Sequence, residues 1–150
     1  MKDLRKLAED PDKRQVVVKD CVDLIDAEVK SKRGFSAVAV KTAYGLVKAL
    51  KPNMMTNAVD SLFDDFAATL QSYYTSYSEA GAQGAFSGYL SARAADVAEA
   101  LLQVTDQRAN GSSNKTAVKA YKRLRPKGKV HVEQAVPNLG KIVDKHLAAL

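Results

Sequence analysis

The chain has 150 residues, with 23 Lys and Arg against 17 Asp and Glu, a hydrophobic fraction of 46% and an aromatic fraction of 7%. The single cysteine, Cys21, excludes an internal disulfide, and the lack of any run of eighteen apolar residues excludes a membrane-spanning helix. The charged N-terminal segment contains no apolar stretch of the kind found in secretion signals, so we expect a cytoplasmic protein.

The first third of the chain predicts three helices. A short helix over residues 3–9 is expected to end before Asp10, the predicted N-cap of a second helix over 11–31. Apolar residues recur there at three- and four-residue spacing and charged residues line the opposite side, which is typical of an amphipathic helix. A third helix is predicted over 36–50.

Residues 53–78 carry the strongest helical pattern in the chain. Apolar side chains keep helical spacing there over several turns, at Met55, Val59, Leu62, Phe63, Phe66, Leu70, Tyr73, Tyr74 and Tyr77. We therefore expect this segment to be the central helix. Three glycines follow it closely, which favours a loop or a short, loosely held turn of helix around Phe86, Tyr89 and Leu90.

The C-terminal part predicts a helix over 94–109, a turn, and a basic helix that Ser113 caps and Pro126 terminates. A last helix is expected from about Lys129, with Pro137 kinking or splitting it. No strand pattern or internal repeat is evident. The sequence therefore predicts an all-α, single-domain bundle of six to eight helices, over residues 1–150, around the long central helix at about 53–78.

Three segments resemble a family of short, uncharacterised bacterial proteins, a domain of unknown function. They are VVVKDCVDLIDAEVKSKRGFSAVAVKTAY, FSGYLSARAADVAEALLQVTDQRA and KAYKRLRPKGKVHVEQAVPNLGKIVDKHL, and together they cover most of the chain. The resemblance implies a bacterial, cytosolic, helical protein. It carries over no catalytic or binding residue.

Charge is distributed unevenly along the chain. Residues 53–112 have two cations against seven anions, whereas 113–150 have nine cations against two anions. Seven cations and no anion lie within residues 113–129, namely Lys115, Lys119, Lys122, Arg123, Arg125, Lys127 and Lys129. This segment is the candidate site for polyanion binding.

The basic segment has two other interpretations. Helix 94–109, the Gly-containing turn and helix 114–125 have the outline of a helix-turn-helix, in which Asn114, Lys115 and Thr116 would reach the bases. Alternatively, the cations are simply solvated, or they pair with the acidic 53–112 region inside the fold or across a dimer.

An aromatic cluster ends the central helix. Part of it is expected to be exposed, forming a groove for a small apolar ligand or a partner helix, although ordinary core packing explains the same pattern. The candidate groove residues are Tyr73, Tyr74, Tyr77 and Phe86.

The remaining reactive side chains predict no catalytic site, metal site or cofactor. Cys21 lies on the apolar side of its helix and is expected to be buried. His131 and His146 each lie two residues from a carboxylate, which is not the spacing of a zinc-binding helix, so both are predicted at the surface. Three aspartates, Asp60, Asp64 and Asp65, are expected on the solvated face of the central helix.

We expect a non-catalytic protein that binds a protein partner or associates with itself through helix faces. The alternative is polyanion binding, with nucleic acid as the natural ligand, through the basic 115–129 segment.

Overall fold

The computed structural model describes residues 1–31, 38, 41–42, 44–45, 48–49 and 53–150. The described residues form helices and connecting turns and no strand, which confirms the predicted all-α, single-domain fold. The predicted helix over 36–50 lies mostly outside the described residues. In the continuously described ranges 1–31 and 53–150, the helices in chain order are α1 Lys6–Glu9, α2 Pro11–Ser31, α3 Met54–Glu79, α4 Phe86–Ser91, α5 Ala94–Asn110 and α6 Lys115–Ala148.

Helix α2 begins where the sequence predicts it. The Asp10 carboxylate accepts hydrogen bonds from the backbone N–H groups of Asp12 at 3.0 Å and Lys13 at 3.3 Å. These bonds satisfy two of the donors that the first turn of a helix leaves without a partner. Val17 and Val18 are the buried residues of α2 and identify the side of the helix that packs against the core.

Helix α3 is the centre of the bundle. It packs against α1, α2, α4 and α5, and it buries Val59, Phe63, Ala67 and Leu70 along one side. The regular helical spacing of these positions is what made the helix predictable from the sequence, and its bounds differ from the prediction by one residue at each end.

Helix α4 is short but firmly packed, so the expectation of a loosely held turn is wrong. Phe86 is 2% exposed and Leu90 is fully buried. The Asp144 carboxylate on α6 accepts the backbone N–H of Ser87, with both oxygens at 3.3 Å, and thereby caps the start of α4. Long-range contacts thus hold a segment whose glycines alone predict flexibility.

Helix α6 runs without a break from Lys115 to Ala148, through both Pro126 and Pro137, so the predicted end at Pro126 and separate last helix are wrong. Each proline removes one backbone hydrogen bond and disfavours a helix interior by about 3 kcal/mol. Both prolines lie on the exposed side of the helix. Packing of α6 against α2, α4 and α5 offsets the penalty.

Helices α5 and α6 form an antiparallel hairpin. Near the connecting loop, Tyr121 donates a hydrogen bond to Asp106. Two helical turns further from the loop, Glu99 forms ion pairs with Arg125 and Lys129. A helix-turn-helix instead crosses its two helices at about 90–120°, and helices that cross so steeply separate within a turn or two of the loop. These contacts do not fit the alternative interpretation of residues 94–125 as a helix-turn-helix.

Candidate polyanion-binding face

The inner side of the basic segment is attached to α5 by hydrogen bonds. The Tyr121 hydroxyl donates to the Asp106 carboxylate and lies 2.7 Å from the hydroxyl of Thr105. Burial, followed by the bond to Asp106, raises the pKa of Tyr121, so the hydroxyl stays a donor at neutral pH. Tyr121 therefore fixes the rotation of the first turns of α6 about the helix axis.

Two of the seven cations form ion pairs with carboxylates of α5. The Arg125 guanidinium lies 3.0 Å from a Glu99 oxygen and 2.9 Å from an Asp106 oxygen, and the Lys129 ammonium lies 3.2 Å from the other Glu99 oxygen. Hydrogen bonds from Arg125 hold the pKa values of both carboxyl groups below their ordinary range, with Lys129 adding to the effect at Glu99 and Tyr121 at Asp106. These contacts lie on both sides of Pro126 and fasten the helix there.

The other five cations are exposed, and none has an ion pair with another described residue. At about 100° per residue they lie within about 140° of the helix circumference, along roughly 18 Å of its axis. They form what we call the outer face of α6, which consists of Lys115, Lys119, Lys122, Arg123 and Lys127.

The acidic residues of α3 interact elsewhere in the fold. The Arg14 guanidinium of α2 lies 2.7 Å from Asp60 and 3.1 Å from Asp64, and Arg108 of α5 lies 3.5 Å from Asp65. The three aspartates are exposed, as predicted, but they are ion-paired and not merely solvated. Their partners are cations of α2 and α5, so these carboxylates do not neutralise the outer face of α6.

The predicted aromatic residues come together as a packed cluster. Phe86 lies 5.1 Å from Tyr74 and 5.2 Å from Tyr77, measured between ring centroids, and Tyr89 joins the cluster at 5.6 Å from Tyr77. Such spacings are those of rings in direct contact. Tyr73 packs against the same core. A ligand groove at these residues stays a prediction.

One histidine differs from its prediction. His146 is buried, and its Nε2 lies 2.7 Å from a carboxylate oxygen of Asp20 on α2, which Lys145 also contacts at 3.0 Å. Burial opposes ionisation of Asp20, but hydrogen bonds from Lys145 and His146 outweigh it and lower the pKa of the carboxyl group. The surface prediction for His146 is therefore wrong. His131 is partly exposed.

Cys21 packs against the hydrophobic core from α2 and is partly buried. Burial, reinforced by the neighbouring charge of Asp20, raises the pKa of the thiol to about 11. The thiolate is the nucleophilic form of cysteine, so this environment makes the residue unreactive at neutral pH.

Comparison with known families matches residues 4–147 to DUF6918, a family of unknown function. The chain belongs to this family. Searches of curated proteins and of solved structures found no match. The membership agrees with the resemblance inferred from the sequence, and the family description assigns no activity or site. None of the helices in the described ranges is both long and apolar enough to cross a membrane.

Three features within the family-matched region escaped sequence reasoning, namely Gly140, Asp144 and the Asp20–His146 pair. A Cβ atom on Gly140 would lie 2.8 Å from the Ser87 Cα, so the glycine permits close contact between α4 and α6. Asp144 and His146 have partners 57 and 126 residues away in sequence. In the sequence, only the apolar pattern of the last helix indicated that this side of the bundle is buried.

Proposed function

We propose that this protein binds polyanions without catalysis, through the outer face of α6, and that nucleic acid is the ligand. The observation that carries the proposal is the exposure of five clustered cations that form no ion pair with other described residues. The carboxylates of Asp60, Asp64, Glu99 and Asp106 are engaged by Arg14 or Arg125. The cations that face solvent are therefore the ones available to a ligand.

The arrangement suits contact with phosphates. Each Lys or Arg that neutralises a phosphate releases a condensed counterion, so affinity rises steeply as salt is lowered. Five contacts predict a slope of about −4.5 for log affinity against log salt concentration on duplex DNA. The contacts of Tyr121 and Arg125 with α5 hold this face in a fixed orientation, which reduces the conformational entropy lost on binding.

Fluorescence anisotropy with labelled nucleic acid at about 50 and 200 mM salt tests the proposal. The wild-type protein should lose more than two decades of affinity between these conditions. The double variant Lys119→Gln/Lys122→Gln removes two of the five contacts, so its slope should fall to about −2.7. No binding by the wild-type protein at the lower salt would refute the proposal.

A matched control separates the outer face from net charge alone. Lys6→Gln/Lys30→Gln removes the same charge from exposed positions on α1 and α2. The control should keep the wild-type slope and affinity. If both double variants weaken binding equally, the protein attracts nucleic acid through its total charge and the outer face of α6 has no special role.

Self-association or binding of another protein, the first expectation from the sequence, stays a prediction. Large apolar side chains with half-exposed surfaces lie on α2, α3 and α6, at Val16, Met54, Leu124 and Val130. Sedimentation velocity over a wide range of protein concentration tests it, and a monomer throughout would contradict self-association. We also propose a bacterial, cytoplasmic protein, in keeping with a nucleic-acid ligand.

A further inference from the structure

The N-terminal part of α6 is attached along a narrow strip and exposed elsewhere. Between Lys115 and Lys127, the partly buried positions include Val118, Tyr121 and Arg125, which lie close together on the helix circumference. The exposed positions extend over roughly 200° of the circumference. More than half of this helix surface is therefore accessible to a ligand that surrounds it on several sides.

The cations on this surface lie in two rows. Lys115 and Lys122 line one side, and Arg123 and Lys127 line the other, about 100° further round the helix. The strip between the rows contains Lys119 and, further along the helix axis, the exposed apolar residues Pro126 and Val130. On a helix roughly 10–12 Å across with its side chains, this angle separates the two rows by roughly 8–9 Å.

A helix with a cationic row on each flank fits one groove of duplex DNA. The major groove of B-form DNA is about 12 Å wide and admits an α-helix, and a phosphate strand runs along each edge. A helix in that groove would place each row of cations beside a different strand. Resting on the proposed function, we propose that the outer face of α6 binds double-stranded DNA in its major groove and contacts the phosphates of both strands.

The same strip indicates that binding is independent of base sequence. Direct reading of bases in the major groove uses donors and acceptors from side chains such as Arg, Lys, Asn or Gln. Pro126 and Val130 offer none, and the cations on either side are placed for phosphates. Lys119 is the one such side chain in the strip, and its flexible ammonium lacks the rigid fork with which an arginine selects a base. Single strands are bound largely by stacking on aromatic rings, and Tyr121, the only aromatic residue in 115–130, is directed toward α5. Duplex DNA is therefore favoured over single strands.

The decisive experiment compares four nucleic-acid ligands of equal length at low salt. The set contains a B-form DNA duplex, a second DNA duplex of scrambled sequence, the RNA duplex of the first sequence, and single-stranded DNA. We expect equal affinity for the two DNA duplexes, and at least tenfold weaker binding of single strands and of the RNA duplex, whose major groove is deep and narrow.

A DNA duplex with bulky sugar groups on its cytosines, projecting into the major groove, tests the groove directly because its phosphates are unchanged. At least a tenfold loss of affinity is expected, whereas a minor-groove ligand should compete weakly. Equal binding of the modified and unmodified duplexes, or equal binding of DNA, RNA and single strands, would overturn this inference and leave polyanion binding intact. Absence of binding to every ligand would overturn both.

Discussion

Replacement of Gly140 by alanine tests the contact that holds α4 against α6. The added Cβ would lie 2.8 Å from the Cα and 2.9 Å from the Cβ of Ser87. Carbon atoms pack at about 3.5–4.0 Å, so the two helices must separate by roughly 1 Å. Overpacking of this kind costs about 1–3 kcal/mol. Alanine recovers about 1 kcal/mol of helix propensity, and since the clash involves backbone we expect a net loss of about 1–2 kcal/mol.

Urea denaturation followed by circular dichroism measures the free energy of unfolding of the Gly140→Ala variant. The matched control is Gly128→Ala in the same helix, where an added Cβ meets no atom within 4 Å. The control should gain up to about 1 kcal/mol from helix propensity alone. If Gly140→Ala is as stable as Gly128→Ala, the close contact between α4 and α6 does not exist in solution.

Three further predictions follow from buried or paired groups. Phe86→Ala should lower the free energy of unfolding by about 3–5 kcal/mol, and a loss below about 1 kcal/mol in urea denaturation would contradict its burial. Cys21, with a pKa of about 11, should react with a disulfide reagent at pH 8 at least about a hundredfold more slowly than free cysteine; equal rates in native and denatured protein would refute this. Because the pKa of Asp20 is lowered in the folded state, the stability advantage of wild type over Asp20→Asn should be complete at pH 7 and decline below about pH 4; an advantage unchanged at pH 2 would contradict the pairing with Lys145 and His146.

Local pattern was sufficient for the parts of the fold that depend on local interactions. The spacing of apolar residues located α3 to within one residue at each end, and the Asp10-Pro11 pair located the start of α2. These signals are strong because a long helix repeats its buried face many times. The family resemblance added the same fold class and no chemistry.

Helix α6 shows where local pattern fails. Pro126 carries a penalty of about 3 kcal/mol in isolation, and the sequence around it offers no visible compensation. The compensation comes from α5, whose Glu99 and Asp106 bind Arg125, with Glu99 also binding Lys129. Such contacts join positions 19 to 30 residues apart, and no periodicity in the sequence identifies them.

The same contacts explain why a charge count was insufficient for the candidate site. Counting predicts that an acidic region with seven anions could neutralise the basic segment, but it does not specify which carboxylate meets which cation. The fold assigns Asp60 and Asp64 to Arg14 and directs Glu99 and Asp106 to the inner side of α6.

Helical geometry then separates the basic segment into two groups. Positions 125 and 129, one turn apart, face α5, whereas 115, 119, 122, 123 and 127 point away from it. The inner cations stabilise the hairpin through ion pairs with Glu99 and Asp106. These carboxylates would otherwise compete with an external anion for the cations of the outer face, so the inner ion pairs leave the outer face available. Loss of Glu99 or Asp106 should therefore weaken the hairpin without creating new binding cations on the outer face.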